Sequence, residues 1–594
     1  PNDAAQRGSA RRGLLRGAVM KRIRILILAF AAAASLAASA SAQAANAQSA
    51  AIPGKAGYDP ADIVESLAFA HVAAIDLGAK TIAIDGAAPV LLRASATTPM
   101  AGLSVASTSY GIAITAKTQE LIQYRLSGAM AGTVTVVSDA PYGILLDGVE
   151  IAAEQGPALN LQSKKKAYIV LADGKANILS DTKVRAKELD EKGALSGKGA
   201  IIISGNGSLS VTGNYKHAVY AKEYVRIRSG SLNVAVTARD GIRCDQGFYF
   251  DGGELSIVGT GSAIDEESKG IKVDGTESAP GKGSIVINGG RLTVKTVGKG
   301  ITAAWDIDED ASTAGTDDDP NPDVTINGGI ITVTTSAAPY EKKTADGKTV
   351  SCSPEGIEAK SDLIINGGIL ALNTPDDCLN AGSSITINGG SIYARSSTND
   401  AIDSNGTMKI TGGLVMAIGS GGPEGAFDCD MNEFAVTGGT LVGFGGSTSG
   451  PTVAACSQPV LIAGKYAAGD LVAIKDASGA TIVAFKVPAA MPTLVVSAPG
   501  FKLGGTYTIW TGAAISGGTD FHGLASGGAE ASGGTLAATF TLSDIVTKIG
   551  GMIFMMGPGG AGGPGMPPPE GFGPPPEGWE PPEGWTPPDG WTPP

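Results

Sequence analysis

One short unit recurs along the middle of this chain: an apolar residue, a spacer, Gly-Gly or Ser-Gly, a second spacer and another apolar residue. It stands as Ile227-Arg228-Ser229-Gly230-Ser231-Leu232 and again at 250–255, 287–292, 326–331, 365–370, 387–392, 410–415 and 436–441. The second glycines fall at 230, 253, 290, 329, 368, 390, 413 and 439, giving steps of 23, 37, 39, 39, 22, 23 and 26. The short steps define a unit of about 22–23 residues, and the long ones carry insertions. A second marker lies between these turns. It reads Asp240-Gly241-Ile242-Arg243-Cys244, then recurs around Ile271, Ile301, Ile357, Leu379, Ile402 and Phe427. Around both markers apolar and polar residues alternate, which is the period of a strand.

Period separates the candidate architectures. Leucine-rich repeats have this length but need their Leu/Asn consensus, and propeller blades run to about 40 residues or more. Three short strands in about 22 residues fit one coil of an all-β parallel β-helix, its coils stacked at about 4.8 Å. A single coil cannot bury its inner face, so stacking makes the core. Ile242, Ile271, Ile301, Ile357, Leu379, Ile402 and Phe427 form the expected inward ladder, and Asn288, Asn327, Asn366 and Asn388 a hydrogen-bonded ladder in the turns. Composition agrees. Glycine supplies 86 of 594 residues, aromatics 5% and charged residues 17%, a poor recipe for helix bundles. The glycines have no three-residue register, which excludes collagen, and 43% apolar residues argue against disorder throughout.

Four segments are expected. Residues 1–44 hold an upstream extension and a secretory signal peptide, Met20 to about Ala42, with a basic start (Lys21, Arg22, Arg24), an apolar run and Ala-x-Ala sites. Residues 60–450 form the solenoid, 451–548 a C-terminal β region that packs on or caps it, and 549–594 a disordered Pro/Gly/Trp-rich tail. The expected location is secreted, periplasmic or cell-surface, with no membrane span. Net charge is −13 overall; residues 1–42 contribute seven Lys/Arg and one Asp, leaving −19 for the rest. That balance disfavours nucleic acid as a partner and suits metal cations. The five cysteines show no CxxC and no zinc spacing, and three distant histidines make a His-based site improbable.

The second marker carries the chemistry. If the ladder residue points inward, its strand neighbours point outward. The position after it gives Arg243, Lys272, Thr302, Glu358, Asn380, Asp403 and Asp428. Two before it stand Asp240, Lys269, Lys299, Glu355, Asp377 and Asp400; three after it, Asp245, Asp274, Lys360, Asn405 and Asp430. Like charges about 5 Å apart repel by about 1 kcal/mol in water and several times more in a drier groove. Hard oxygen donors from several coils suit Ca2+, so Glu355, Glu358, Asp377, Asp400, Asp403, Asp428 and Asp430, with Asp240, Asp245 and Asp274, are the candidate ligands. A solvated acidic face paired with lysines is the plainer alternative. Arg243, Lys272, Lys360 and Tyr220 are candidate polysaccharide contacts. The aromatic cluster of Tyr215, Tyr220, Tyr224, Phe248, Tyr249 and Phe250 divides between sugar stacking and core. Asp306, Asp308, Asp310 and Asp317 form a second acidic feature, a looser calcium-binding loop or a plain solvated one rather than an EF-hand, because Ala311 stands at its sixth position and no helices flank it.

The Gly-Gly turns, the Asp-Gly-Ile and Glu-Gly-Ile markers, the Leu146-Asp147-Gly148-Val149-Glu150-Ile151 entry and the Gly/Pro-rich tail resemble the bacterial exported carbohydrate-binding domain proteins. The resemblance covers roughly 60–548 and implies a right-handed parallel β-helix with bound calcium, similar in fold to family 9 pectate lyases, that binds cellulose or acidic polysaccharide. It carries over no individual ligand residue. The expected function is an exported, non-catalytic, monomeric carbohydrate binder that uses calcium. A calcium-dependent pectate-type lyase and a cell-surface structural or adhesin protein are the alternatives.

Overall fold

Alternation at the sequence level becomes alternation of burial. In Ser391–Ser396 the side chains of Ile392 and Ala394 are buried while Tyr393 and Arg395 are not, and Ser208–Gly213, Ser231–Val236 and Arg291–Thr296 repeat the pattern. The computed structural model describes residues 59–261, 268–275, 283–305, 322–343, 347, 349–446 and 449–549. The proposed leader, the acidic 306–319 loop and nearly all of the Trp-containing tail lie outside them. The described residues are almost wholly β, with three single-turn 3-10 helices.

Each coil contributes three strands that pair in parallel with their equivalents in the next. One track runs through Ile242–Cys244, Ile271–Gly275, Ile301–Trp305, Ile357–Ala359, Leu379–Ala381, Ile402–Ser404 and Phe427–Asp428. Its register places Ile242, Ile271, Ile301, Ile357, Leu379, Ile402 and Phe427 in one line, each at most 2% exposed. A second line joins Val225, Phe248, Ile285, Val324, Leu363, Ile385, Met408 and Phe434. A third joins Leu232, Leu255, Leu292, Ile331, Leu370, Ile392, Val415 and Leu441. The three lines meet in one continuous core, the β-helix-like arrangement that the repeat length predicts.

The turns explain the glycines. At Gly390 the backbone has φ +89°, and a Cβ there would lie 2.9 Å from the carbonyl oxygen of Gly368 in the preceding coil. Both the left-handed conformation and the stacking distance exclude a side chain. Beside it runs the asparagine ladder: Asn388 donates to Asn366, Asn366 to Asn327 and Asn327 to Asn288, at 2.8–2.9 Å. Asn288 ends it by donating to Asp251, 2.8 Å away.

Antiparallel strands flank both ends of the stack. At the first end Leu103–Thr108 and Gly111–Ala116 pair antiparallel before parallel stacking begins. At the last, Thr493–Ser497 pairs antiparallel with Thr440–Gly445 and also with Val460–Ala463. Beyond it an antiparallel six-stranded sheet packs on the final coils, with His522 stacked on Tyr393 at 4.1 Å. Such caps cover part of the edges along which parallel coils would otherwise add further chains, although Phe427–Asp428 remains an edge strand of its sheet. The 329–368 step holds an antiparallel hairpin of Tyr340–Lys343 with Thr349–Cys352. No disulfide joins any two of the five cysteines.

Candidate functional site

Parallel register carries the outward positions into columns as faithfully as the inward ones. Arg243, Lys272, Thr302, Glu358, Asn380, Asp403 and Asp428 are successive partners on one face, with Tyr220 preceding Arg243. Beside them lie Asp240, Lys269, Lys299, Glu355 and Asp377. The amides that follow the first four bond to the carbonyls of the next member in each coil. The charge changes along these columns from cationic through mixed to acidic, and the ten candidate acids separate accordingly.

At the cationic end two of the three candidate acids, Asp240 and Asp274, are paired with cations. Asp240 lies 3.1 Å from His217 Nδ1 and 3.7 Å from Arg243. The His217 contact, with Lys269 and Arg243 nearby, outweighs burial and holds its carboxyl well below the usual range, while burial lowers the pKa of His217 itself. Asp274 is bonded to Arg243 and sits 3.1 Å from Lys272 Nζ. Asp245 accepts from the Tyr220 hydroxyl at 3.2 Å, and burial pushes its pKa up. Burial likewise lowers the pKa of Lys272, opposed by Asp274. Asp240 and Asp274 are thus ion-pair partners of the chain's own cations, separate from the acids at 377–430. The middle of the site is a four-charge cluster. Lys299 Nζ lies 2.5 Å from Glu355 and 3.0 Å from Glu358, Lys360 also pairs with Glu358, and Thr302 Oγ1 donates to Glu358 at 2.5 Å. Burial and the neighbouring Glu358 push Glu355 up, whereas the two lysines overcome burial to hold Glu358 down.

The last coils differ. Asp377 is 3% exposed, and its Oδ1 is buried with no hydrogen-bond partner among the described residues. Asn380 Nδ2 donates to Asp377 Oδ2 at 3.1 Å and reaches Asp403 Oδ2 at 3.4 Å, bridging two carboxylates. Asp400 accepts from the Gly425 amide at 2.5 Å. Asp428 accepts from the Cys429 amide at 2.8 Å and from Ser449 Oγ at 2.5 Å. Each of these bonds comes from a neutral donor. Burial, then repulsion from Asp403 and Asp376, pushes Asp377 up to about 10. Burial with Asp428 and Asp430 raises Asp403 to about 7, and Asp400 also rises, chiefly through burial. Asp430, exposed, has a left-handed backbone with φ +48°. The donors are all oxygen, as Ca2+ prefers, yet among the described residues no three His, Cys, Asp or Glu converge as a ready-made metal cage.

Sequence reasoning missed His217, Ser449 and the bridging role of Asn380. His217 stands two positions before Val219, the residue in register with Ile242; extending the ladder by one coil finds it. Ser449 lies beyond the last repeat and gives no comparable signal.

Residues 109–401 match the family of carbohydrate-binding domain-containing proteins. That match spans the columns from Tyr220 to Asp400 and stops short of Asp403, Asp428 and Asp430. A carbohydrate-binding domain-containing protein of Acetivibrio thermocellus is 32% identical over 95 residues, 15% of this chain and 33% of the relative. The chain thus spans about a third of that relative's length. The solved structure of a polysaccharide lyase-like protein from C. thermocellum, a gadolinium derivative, is 22% identical over 45% of this chain and 92% of its own. Its TM-score is 0.34, at which the likeness fixes neither fold nor function. No helix among the described residues is long and apolar enough to cross a membrane.

Proposed function

We propose that this chain is an exported, non-catalytic binder of acidic polysaccharide, in which calcium held at the last coils by Asp377, Asp403 and Asp428, with Asp400 and Asp430 beside them, bridges to uronate carboxylates. The observation that carries the reading is the Asp377 carboxylate, buried among other acids with one oxygen unpartnered. At an effective dielectric of about 20, two charges about 5 Å apart repel by about 3 kcal/mol. Such a stack therefore favours whatever neutralises it, a proton or a hard cation. The family match of residues 109–401 supplies the saccharide. Arg243 and Tyr220, farther along the same columns, would contact the chain that calcium anchors.

One observation favours a second reading, a polysaccharide lyase. The lowered pKa of Lys272, beside Arg243, suits a base that removes the proton α to a uronate carboxylate. Distance argues against it. Asn380 lies three coils beyond Lys272 in the column, about 14 Å at strand spacing. A base that far from a calcium-bound carboxylate cannot reach the neighbouring proton. Lys360, one coil from Asn380, is held by Glu358.

A polygalacturonate gel run with calcium or with chelator tests the proposal, while ultraviolet absorbance of the mixture reports unsaturated product. Calcium-dependent retention without absorbance is the expected result. An absorbance rise that chelator abolishes would establish the lyase. Neither effect would leave a structural surface protein.

A further inference from the structure

On a different face of the solenoid, a short acidic segment covers a basic, tyrosine-rich surface. Residues 59–66 form two single-turn 3-10 helices with Asp59, Asp62 and Glu65 at three-residue intervals. Beneath them lie Lys166, Tyr168, Tyr224, Arg226, Arg228 and Tyr249, all on or next to neighbouring strands of one track. Lys166 Nζ lies 2.5 Å from Asp59 and 2.8 Å from Asp62. Asp62 also accepts from the Tyr224 hydroxyl at 2.7 Å and from Arg226 at 3.3 Å. Arg228 reaches Glu65 at 2.5 Å. The Arg226 guanidinium is 4.8 Å from the Tyr249 ring centre, and the Tyr224 and Tyr249 rings meet edge to face at 5.6 Å.

Two features mark this cover as separable from the surface. Its backbone amides are satisfied within it: those of Asp62, Ile63, Ser66 and Leu67 bond to the carbonyls of Asp59, Pro60, Ile63 and Val64, a strand-to-strand partner comes only with Ala70, on Leu121, and the surface below reaches one carbonyl, that of Ala61, through the Tyr168 hydroxyl at 2.6 Å. Lifting it therefore leaves no sheet amide unpaired. Its outer ion pairs are also partly wet, since the Asp59 and Glu65 side chains are 44% and 62% exposed, where such pairs contribute little; the inner Asp62, 2% exposed and paired with Lys166 and Arg226, is the contact that holds it down. The surface beneath combines cations fit for carboxylates with tyrosine faces fit for sugar rings.

We propose that Lys166, Arg226 and Arg228, with Tyr168, Tyr224 and Tyr249, form a second, calcium-independent site for a carboxylated oligosaccharide, and that Asp59, Asp62 and Glu65 close it by occupying the positions of the ligand's carboxylates. This rests on the reading that the chain binds acidic polysaccharide, but excess chelator silences the calcium columns and leaves this site to be measured alone.

The test is oligogalacturonate binding to the full chain in excess chelator, for the native protein, the D59N/E65Q double variant and R228Q. A site opened only a tenth of the time tightens about tenfold when its cover is released. D59N/E65Q is expected to show that gain, R228Q to lose binding, and neutral cello-oligosaccharide not to compete. In the native protein, hydrogen exchange at 62–67 is expected to be faster than in Ile201–Gly205 and to quicken further with oligogalacturonate. No chelator-resistant binding by D59N/E65Q, equal competition by the neutral sugar, or protection at 62–67 matching the sheet and unmoved by ligand would each overturn the proposal. Calcium-dependent gel retention would stand in all three cases.

Discussion

At the scale of single residues, two environments leave little room for change. Gly390 combines a left-handed backbone with a carbonyl 2.9 Å from where a Cβ would sit. Gly390→Ala is therefore expected to lower stability by about 1–3 kcal/mol, measured by denaturant unfolding; an unchanged midpoint would contradict the stacking assigned to these turns. Lys299 is the cation between Glu355 and Glu358. Lys299→Met leaves two buried acids with one lysine and should cost about 3–5 kcal/mol. Losses that match Lys360→Met would mean that Lys299 holds no special place, because the Lys360 side chain is 48% exposed.

At the scale of the coil, each column is a ladder whose members are read one turn apart, and this decides what the sequence could disclose. Ile357, Leu379 and Ile402 could be aligned from spacing because an inward position accepts only an apolar side chain. So could the asparagine ladder, where one residue type repeats. The fate of each acid was not legible in the same way. Glu355 and Asp377 occupy adjacent places in one column, yet Glu355 meets Lys299 while the Asp377 Oδ2 meets the neutral Asn380. That difference arises from side-chain reach across coils, which spacing does not specify. It has a measurable consequence. Burial and the neighbouring acids push Asp377 up to about 10 and Asp403 to about 7, above the usual carboxylate range. The folded state therefore binds more protons than the unfolded state across that interval. Their contribution to stability is complete below about pH 4 and is lost as pH rises through 7 and toward 10. In chelator, the unfolding midpoint should fall with pH over that window, and D377N/D403N should flatten the decline. A midpoint equally steep in the variant would place the titration elsewhere.

At the scale of the molecule, the solenoid joins a cationic stretch around Arg243 and Lys272 to an acidic stretch around Asp377 and Asp403 on one face, both within one continuous core. A ligand that binds only the folded chain stabilises all of it, by about 2.7 kcal/mol at a hundredfold excess over its dissociation constant. Calcium should accordingly raise the melting temperature of the native chain and leave that of D377N/D403N unmoved. The most direct measurement is calorimetric titration of the native chain with calcium at neutral pH, repeated in buffers of different ionisation enthalpy so that released protons are counted. Saturable binding that displaces protons from the raised carboxylates is predicted, and its absence from D377N/D403N. Heats that show no binding up to millimolar calcium, or binding that the double variant retains in full, would contradict the account.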